Sequence, residues 1–208
     1  MKDQAYEKTV ATYLSAVKSF VQLVSEIPSD RWDRLALGVW DLRSLVGHSS
    51  RSLTTVITYM DTTAEREEIV SPQQYYARVK TIASVDPSGV VDRGRQAGTD
   101  LGADPPAAVA ELAERVANKL ASSGDRLIKV IGGLGMWLHT YLPTRTFELA
   151  VHGLDIAAAA DLPSMLGDDV LDESTALAAQ IAVEIGTGET ALMALTGRRP
   201  LPPSFSVV

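Results

Sequence analysis

Four ionisable side chains recur at helical spacing between Tyr141 and Asp155: Arg145, Glu148, His152 and Asp155. Intervals of three, four and three residues place them on one face of a helix. The rest of this stretch is rich in apolar side chains, namely Phe147, Leu149, Ala150, Val151, Leu154 and Ile156. A helix that is apolar on nearly every side is predicted to be buried. Buried ionisable groups must pair with one another or hold a metal ion, so this helix is the main candidate for chemistry.

Glu148 and His152 carry the clearest metal-binding pattern, because a Glu and a His four residues apart on a helix project toward the same point. His48, on a second predicted helix, would supply the third ligand from a facing position. Three nitrogen and oxygen ligands with open positions are what a catalytic Zn²⁺ site needs, although Ni, Co, Mn and Fe remain open. In the alternative interpretation, Glu148 simply pairs with Arg145 and His152 is an ordinary core histidine.

Two neighbouring residues have secondary roles in this hypothesis. Arg145 could orient Glu148 or contact an anionic substrate as a catalytic residue, with a structural ion pair as the alternative. Asp155 could accept the second imidazole N–H of His152, as in carboxylate–histidine–metal arrangements, although the spacing of three residues makes the geometry awkward. His139 is expected to have a surface or ordinary core role.

The elements that must position these residues are predicted to be helices, because apolar residues recur with a helical period along most of the chain. The predicted helices cover residues 5–26, 42–60, 71–83, 105–122, 143–160, 168–185 and 189–196. Pro143 is predicted to lie in the first turn of the central helix, where a missing N–H is harmless. Residues 84–104 give no clear element, residues 125–135 are expected to be a flexible connection, and no strand is predicted.

The amino-acid composition argues against several classes of function. The net charge of −7, without a Lys or Arg cluster, argues against a nucleic-acid partner. Cysteine is absent, which excludes disulfides, thiolate metal sites and a cysteine nucleophile. No signal-peptide pattern and no long apolar run occur, so we expect no membrane association and a cytoplasmic location. We expect one domain over residues 1–208, with 198–208 as an extended tail and no separate C-terminal domain, in a monomer or homodimer.

Three segments resemble a known family. Trp40-Asp-Leu-Arg-Ser-Leu-Val-Gly-His48 looks like the W-x7-H segment that opens the second helix of DinB-like metalloenzymes. Thr144-Arg-Thr-Phe-Glu-Leu-Ala-Val-His-Gly-Leu-Asp-Ile156 resembles the R-x2-E-x3-H-G-W-D segment of their mycothiol-dependent maleylpyruvate isomerase branch. Ala194-Leu-Thr-Gly-Arg-Arg-Pro-Leu-Pro202 is similar to the stretch that closes the N-terminal domain of that branch. The three segments occur in the family's order.

The resemblance implies an up-down-down-up four-helix bundle, here with additional C-terminal helices, and a divalent metal, with zinc as the first choice. His48, Glu148 and His152 fall on the family's three ligand positions. The family's thiol cosubstrate, mycothiol, is activated at the open metal positions. In the isomerase the thiolate adds to a double bond of a small electrophile, and elimination then releases the trans product. In related S-transferases the thiolate displaces a leaving group or opens an epoxide.

The sequence departs from the family at three points. Leu154 stands where the family often has Trp, Ser44 replaces a common acidic residue, and the further C-terminal domain of the isomerases is not expected here. These differences put maleylpyruvate itself in doubt as substrate. A metal-dependent hydrolase on the same bundle, a non-catalytic metal-binding or stress-response protein, and a metal-free dimerisation bundle remain the alternatives.

Overall fold

The computed structural model describes residues 2–83 and 87–208, and their regular structure is almost entirely helical. This part of the chain forms the helices α1 (Lys2–Ser25), α2 (Leu42–Tyr59), α3 (Pro72–Ala83), α4 (Pro87–Asp100), α5 (Pro105–Ala121), α6 (Leu138–Ala160), α7 (Asp168–Glu184) and α8 (Gly188–Leu195). The all-α class predicted from the hydrophobic period is therefore confirmed.

Four of these helices form a closed ring around the core, because α1 and α2 each pack against both α5 and α6. Contacts at one end of the ring show how the helices run. Tyr6, near the start of α1, donates a hydrogen bond to the carbonyl of Ser123, just after α5. Arg126 donates to the carbonyl of Met60 at the end of α2, and its own carbonyl accepts from Leu138 at the start of α6.

The opposite end of the ring is closed by Arg31 and Arg34, which follow α1 and form ion pairs with Asp161 just after α6. Thus α1 and α6 run in one direction and α2 and α5 in the other, which is an up-down-down-up arrangement. The bundle core is built from large, fully buried side chains that include Tyr13, Phe20, Leu42, Leu45, Leu53, Tyr141 and Leu142.

The central helix α6 begins five residues earlier than predicted, at Leu138, so Pro143 lies inside it. The physical reason is a cap from a distant part of the chain: the Asp125 carboxylate accepts a hydrogen bond of 3.0 Å from the backbone N–H of His139. This satisfies one of the amides that the first turn of a helix leaves without partners. The prediction that the whole helix is buried was also wrong at Leu154, which is 45% exposed.

Helix α4 was not predicted, because its sequence is rich in glycine and residues 84–104 show little period. The structure gives those glycines a packing role. A Cβ atom at Gly98 would lie 2.8 Å from a backbone oxygen of α2, and one at Gly47 of α2 would lie 2.1 Å from the backbone nitrogen of Gly98. Likewise, a Cβ at Gly94 would lie 2.7 Å from the Trp40 ring. Small residues therefore let α4 pack closely on α2.

The prediction that the chain has no strands was also wrong. Two antiparallel ribbons are present, one of β1 (Leu35–Leu37) with β2 (Trp40–Asp41) and one of β3 (Leu127–Lys129) with β4 (Gly135–Trp137). Strands of two or three residues are too short for alternation to be recognised in sequence. The second ribbon replaces the flexible connection expected over 125–135.

Outside the ring, α7 packs on α6 and α1, and α8 packs on α7. Residues 198–208 contain no helix or strand, and Phe205 and Val207 line a groove between the tail and these two helices. Among the described residues, no helix combines the length and apolar character required to cross a bilayer.

Candidate metal centre

The helical bundle brings His48, Glu148 and His152 together, with Glu148 and His152 in the middle part of α6 and His48 in the first half of α2. One potential ligand atom from each residue lies within 4.8 Å of the other two. The two α6 residues are one turn apart, and His152 Nε2 is 3.5 Å from Glu148 Oε2. His48 comes from α2, which packs directly against α6. The structure thus brings together, from two neighbouring helices, the three residues that were predicted to be metal ligands.

His48 is held between two rings. Its imidazole centroid lies 4.5 Å from that of Trp40 and 5.0 Å from that of His152. Its Nδ1 atom is buried, and none of the described residues gives it a hydrogen-bond partner. Burial, together with the nearby charge of His152, lowers the pKa of His48 to about 4. The ring is therefore neutral at pH 7, the form in which imidazole binds a metal.

Glu148 is ionised, although its side chain is partly buried. Burial acts to raise its pKa, but the hydrogen bond and charge of His152, the charge of Arg145 and a hydrogen bond from Tyr76 outweigh it. Together these groups lower the pKa of Glu148 to about 2. The Tyr76 hydroxyl lies 2.9 Å from Glu148 Oε1. The carboxylate thus stays charged and oriented over the whole physiological pH range.

Asp155 contacts His152 in spite of the spacing of three residues. His152 Nδ1 lies 3.2 Å from Asp155 Oδ2, which leaves Nε2 directed toward Glu148. Burial acts to lower the pKa of His152, but the hydrogen bond to Asp155 and the charge of Glu148 prevail and raise it to about 9. A carboxylate that fixes one imidazole nitrogen and leaves the other for a metal is a common arrangement around metal ligands.

The donor set suits a divalent transition metal. Two imidazole nitrogens and one carboxylate oxygen are the ligands of several catalytic zinc sites. A buried nitrogen without a partner, as at His48 Nδ1, is normally costly in a protein interior. Both observations fit a site built for a metal ion.

A cavity of about 170 Å³ adjoins these residues. It is lined by His48, Arg51, Ser52, Thr55, Tyr59, Tyr75, Tyr76, Val79, Val90, Arg93, Ile131, Tyr141, Arg145 and Glu148. The wall therefore combines three arginines and four tyrosines with two of the three potential ligands. Such a lining favours a small anionic molecule.

Arg145 lies in this cavity and does not form an ion pair with Glu148. Its guanidinium carbon lies 5.2 Å from the centroid of the Tyr75 ring and 5.0 Å from that of the Tyr141 ring. Its Nε atom donates a hydrogen bond of 3.0 Å to the hydroxyl of Thr144. Cation–π contacts hold the side chain in place without neutralising its charge. The two side chains therefore interact electrostatically without the direct ion-pair contact considered from sequence, and Arg145 lines the cavity.

Sequence reasoning missed Arg51, Tyr75 and Tyr76. Arg51 lies three residues after His48 on α2, so its helical position offered a signal. No local signal relates Tyr75 and Tyr76 to a helix some 70 residues away. His139, by contrast, is not part of the site. It lies at the start of α6 and pairs with Asp125, with its Nδ1 atom 2.6 Å from Asp125 Oδ2.

These observations define the protein as a helical-bundle protein with a candidate metal centre and an adjoining cationic cavity. Its sequence matches the family described as the mycothiol maleylpyruvate isomerase N-terminal domain over residues 13–157. The match covers more than half of the chain, so the chain belongs to this family, as the two resembling segments within this range indicated. Comparison with curated proteins and with solved structures found no match.

Proposed function

We propose that this chain is a divalent-metal-dependent enzyme that activates a low-molecular-weight thiol for reaction with a small electrophile. His48, Glu148 and His152 would hold the metal, with zinc as the first candidate and mycothiol as the thiol that the family suggests. The observation that carries the proposal is the convergence of these three side chains beside a cavity large enough for a small molecule. Isomerisation and S-transfer are both compatible with this chemistry.

The metal would supply one effect, which is to lower the pKa of a bound thiol so that the thiolate is present at neutral pH. The surrounding residues position the metal ligands and keep them in the protonation states described above. Asp155 fixes the His152 ring through Nδ1, and the neutral His48 and ionised Glu148 need not lose a proton to become ligands. The chain has no cysteine, so the sulfur nucleophile in this scheme comes from the cosubstrate.

Arg145 is the proposed catalytic residue that contacts the electrophile. Among the described residues, its buried guanidinium has no direct ion-pair contact with a carboxylate, although its charge interacts with that of Glu148. It lines the cavity, where it would attract an anionic group. The cavity of about 170 Å³ is smaller than the pockets that bind drug-sized ligands. It would therefore enclose the electrophile, while the body of the thiol extends outside it.

The direct test uses protein loaded with Co²⁺, whose visible spectrum reports the ligands of the ion. Addition of mycothiol, or of N-acetylcysteine as a simpler thiol, should produce a sulfur-to-cobalt charge-transfer band. The S-methyl form of N-acetylcysteine is the matched control and should leave the spectrum unchanged. If no thiol changes the spectrum while the loaded protein hydrolyses ester or amide substrates, the hydrolase alternative replaces this proposal.

Metal binding should release about one proton, because the His152 ring is protonated below its raised pKa of about 9 and must lose that proton to bind. We expect the apparent dissociation constant for Zn²⁺ to fall about tenfold for each unit by which the pH rises between pH 6 and 8. Affinity should therefore weaken as the pH falls. Calorimetric titration in buffers with different ionisation enthalpies measures the proton count, and a value of zero at pH 7 would contradict the protonated His152.

A further inference from the structure

Tyr76 comes from α3, a helix outside the four-helix ring that packs against α6 and α7. The side chain is 5% exposed and is fixed by aromatic neighbours on both sides. Its ring centroid lies 5.3 Å from that of Phe147 and 5.7 Å from that of Tyr75, both in edge-to-face geometry. Because such contacts leave the ring little freedom, the position of the Tyr76 hydroxyl is determined by the packing of α3 on α6.

The Tyr76 hydroxyl contacts two acceptors on α6. It lies 2.9 Å from Glu148 Oε1 and 2.9 Å from the backbone carbonyl oxygen of Thr144. A hydrogen bond to an ionised acceptor is stronger than one to a neutral acceptor, so the carboxylate is the favoured partner for the single proton. The other carboxylate oxygen, Oε2, is the one that lies beside His152 Nε2. The two oxygens of Glu148 therefore have different environments.

We infer that Tyr76 is a positioning residue of the metal centre and acts through Glu148. By occupying Oε1, it leaves Oε2 as the oxygen that lies beside His152 Nε2. A carboxylate restrained in this way offers the metal one oxygen, which keeps coordination positions available for a thiol. The inference rests on the proposed function, because it assumes that His48, Glu148 and His152 hold a metal. Partners of this kind commonly alter metal affinity by about 10–100-fold.

The test compares Tyr76→Phe with the wild type, since this substitution removes one oxygen atom and keeps the ring. Zn²⁺ affinity, measured by competition with a chromophoric chelator, should weaken by about 10–100-fold. The Co²⁺ spectrum should also change, because a released Glu148 can bind through both oxygens. Tyr13→Phe is the matched control: Tyr13 is a fully buried tyrosine that donates to a backbone carbonyl, at Ser52, over 3.0 Å. It should bind Zn²⁺ as tightly as the wild type.

A double-mutant cycle separates positioning from general destabilisation. All four proteins of the cycle are compared with Cu²⁺, because its tight binding to imidazole keeps the measurement feasible without Glu148. Tyr76→Phe should weaken Cu²⁺ binding when Glu148 is present and should have no further effect in the Glu148→Ala background. If Tyr76→Phe and the wild type bound Zn²⁺ equally well, the inference would be overturned while the proposed function would stand. An equal loss in Tyr76→Phe and Tyr13→Phe, or an undiminished effect without Glu148, would also overturn the inference. A wild-type protein that binds no metal would overturn the proposed function and this inference with it.

Discussion

Protein purified without chelator or affinity tag should carry close to one divalent metal ion per chain, and His48→Ala and His152→Ala should carry none. Each substitution removes one of the three protein ligands that lie within 4.8 Å of one another. Loss of a group that merely orients a ligand weakens metal binding by about 10–100-fold, so loss of a ligand should exceed about 100-fold. Inductively coupled plasma mass spectrometry measures the metal content, and thiol-dependent turnover should disappear in the same two variants.

His139→Ala is the matched control for this experiment, because the three histidines of the chain are His48, His139 and His152. His139 lies at the start of α6, outside the candidate site, and pairs with Asp125, so its removal should leave the metal content unchanged. A wild-type protein without metal, even after reconstitution with Zn²⁺, Ni²⁺ and Co²⁺, would rule out the enzyme proposal. Glu148, His152 and Asp155 would then be a partly buried polar network in a structural bundle.

Gly47→Ala should destabilise the protein by about 3 kcal/mol or more, at the upper end of the range for overpacked interiors. The added Cβ would lie 2.1 Å from the backbone nitrogen of Gly98, so α2 and α4 would have to separate. Backbone atoms cannot rotate away as the end of a side chain can. Because Gly47 directly precedes His48, the displacement of α2 should also weaken metal binding. Chemical denaturation of the metal-free protein measures the loss of stability.

Gly153→Ala is the matched control for Gly47→Ala. Gly153 is also a buried glycine inside a helix, but a Cβ there has its nearest neighbour at 3.9 Å, the Cδ2 atom of Leu166. Replacing a helical glycine by alanine where space permits should stabilise the protein by up to about 1 kcal/mol. Opposite signs are therefore expected for two identical substitutions. If Gly47→Ala and Gly153→Ala had the same stability, the explanation that close packing of α2 on α4 requires glycine at position 47 would be wrong.

The sequence by itself determined which segments form the helices of the ring. It also determined that Glu148 and His152 lie on the same face of one helix. Both follow from local geometry, because the helical period decides which residues share a face. His48 was predicted as the third ligand because it lies on a second predicted helix, and the family resemblance then supported it. Spacing within one helix says nothing about the position of a second helix. The resemblance itself holds, as the family match over residues 13–157 shows. The metal that these residues are proposed to hold remains a prediction.

Only the tertiary structure decided the features that depend on residues far apart in sequence. Asp125 caps α6 and moves its start from Pro143 to Leu138, against the local signal of the proline. Glycines that favour a loop in isolation are accommodated in α4 because α2 packs against their backbone. Tyr76 reaches Glu148 across 72 positions of the chain. In each case a contact between distant segments outweighs or supplements the local preference, and such contacts exist only once the helices have packed.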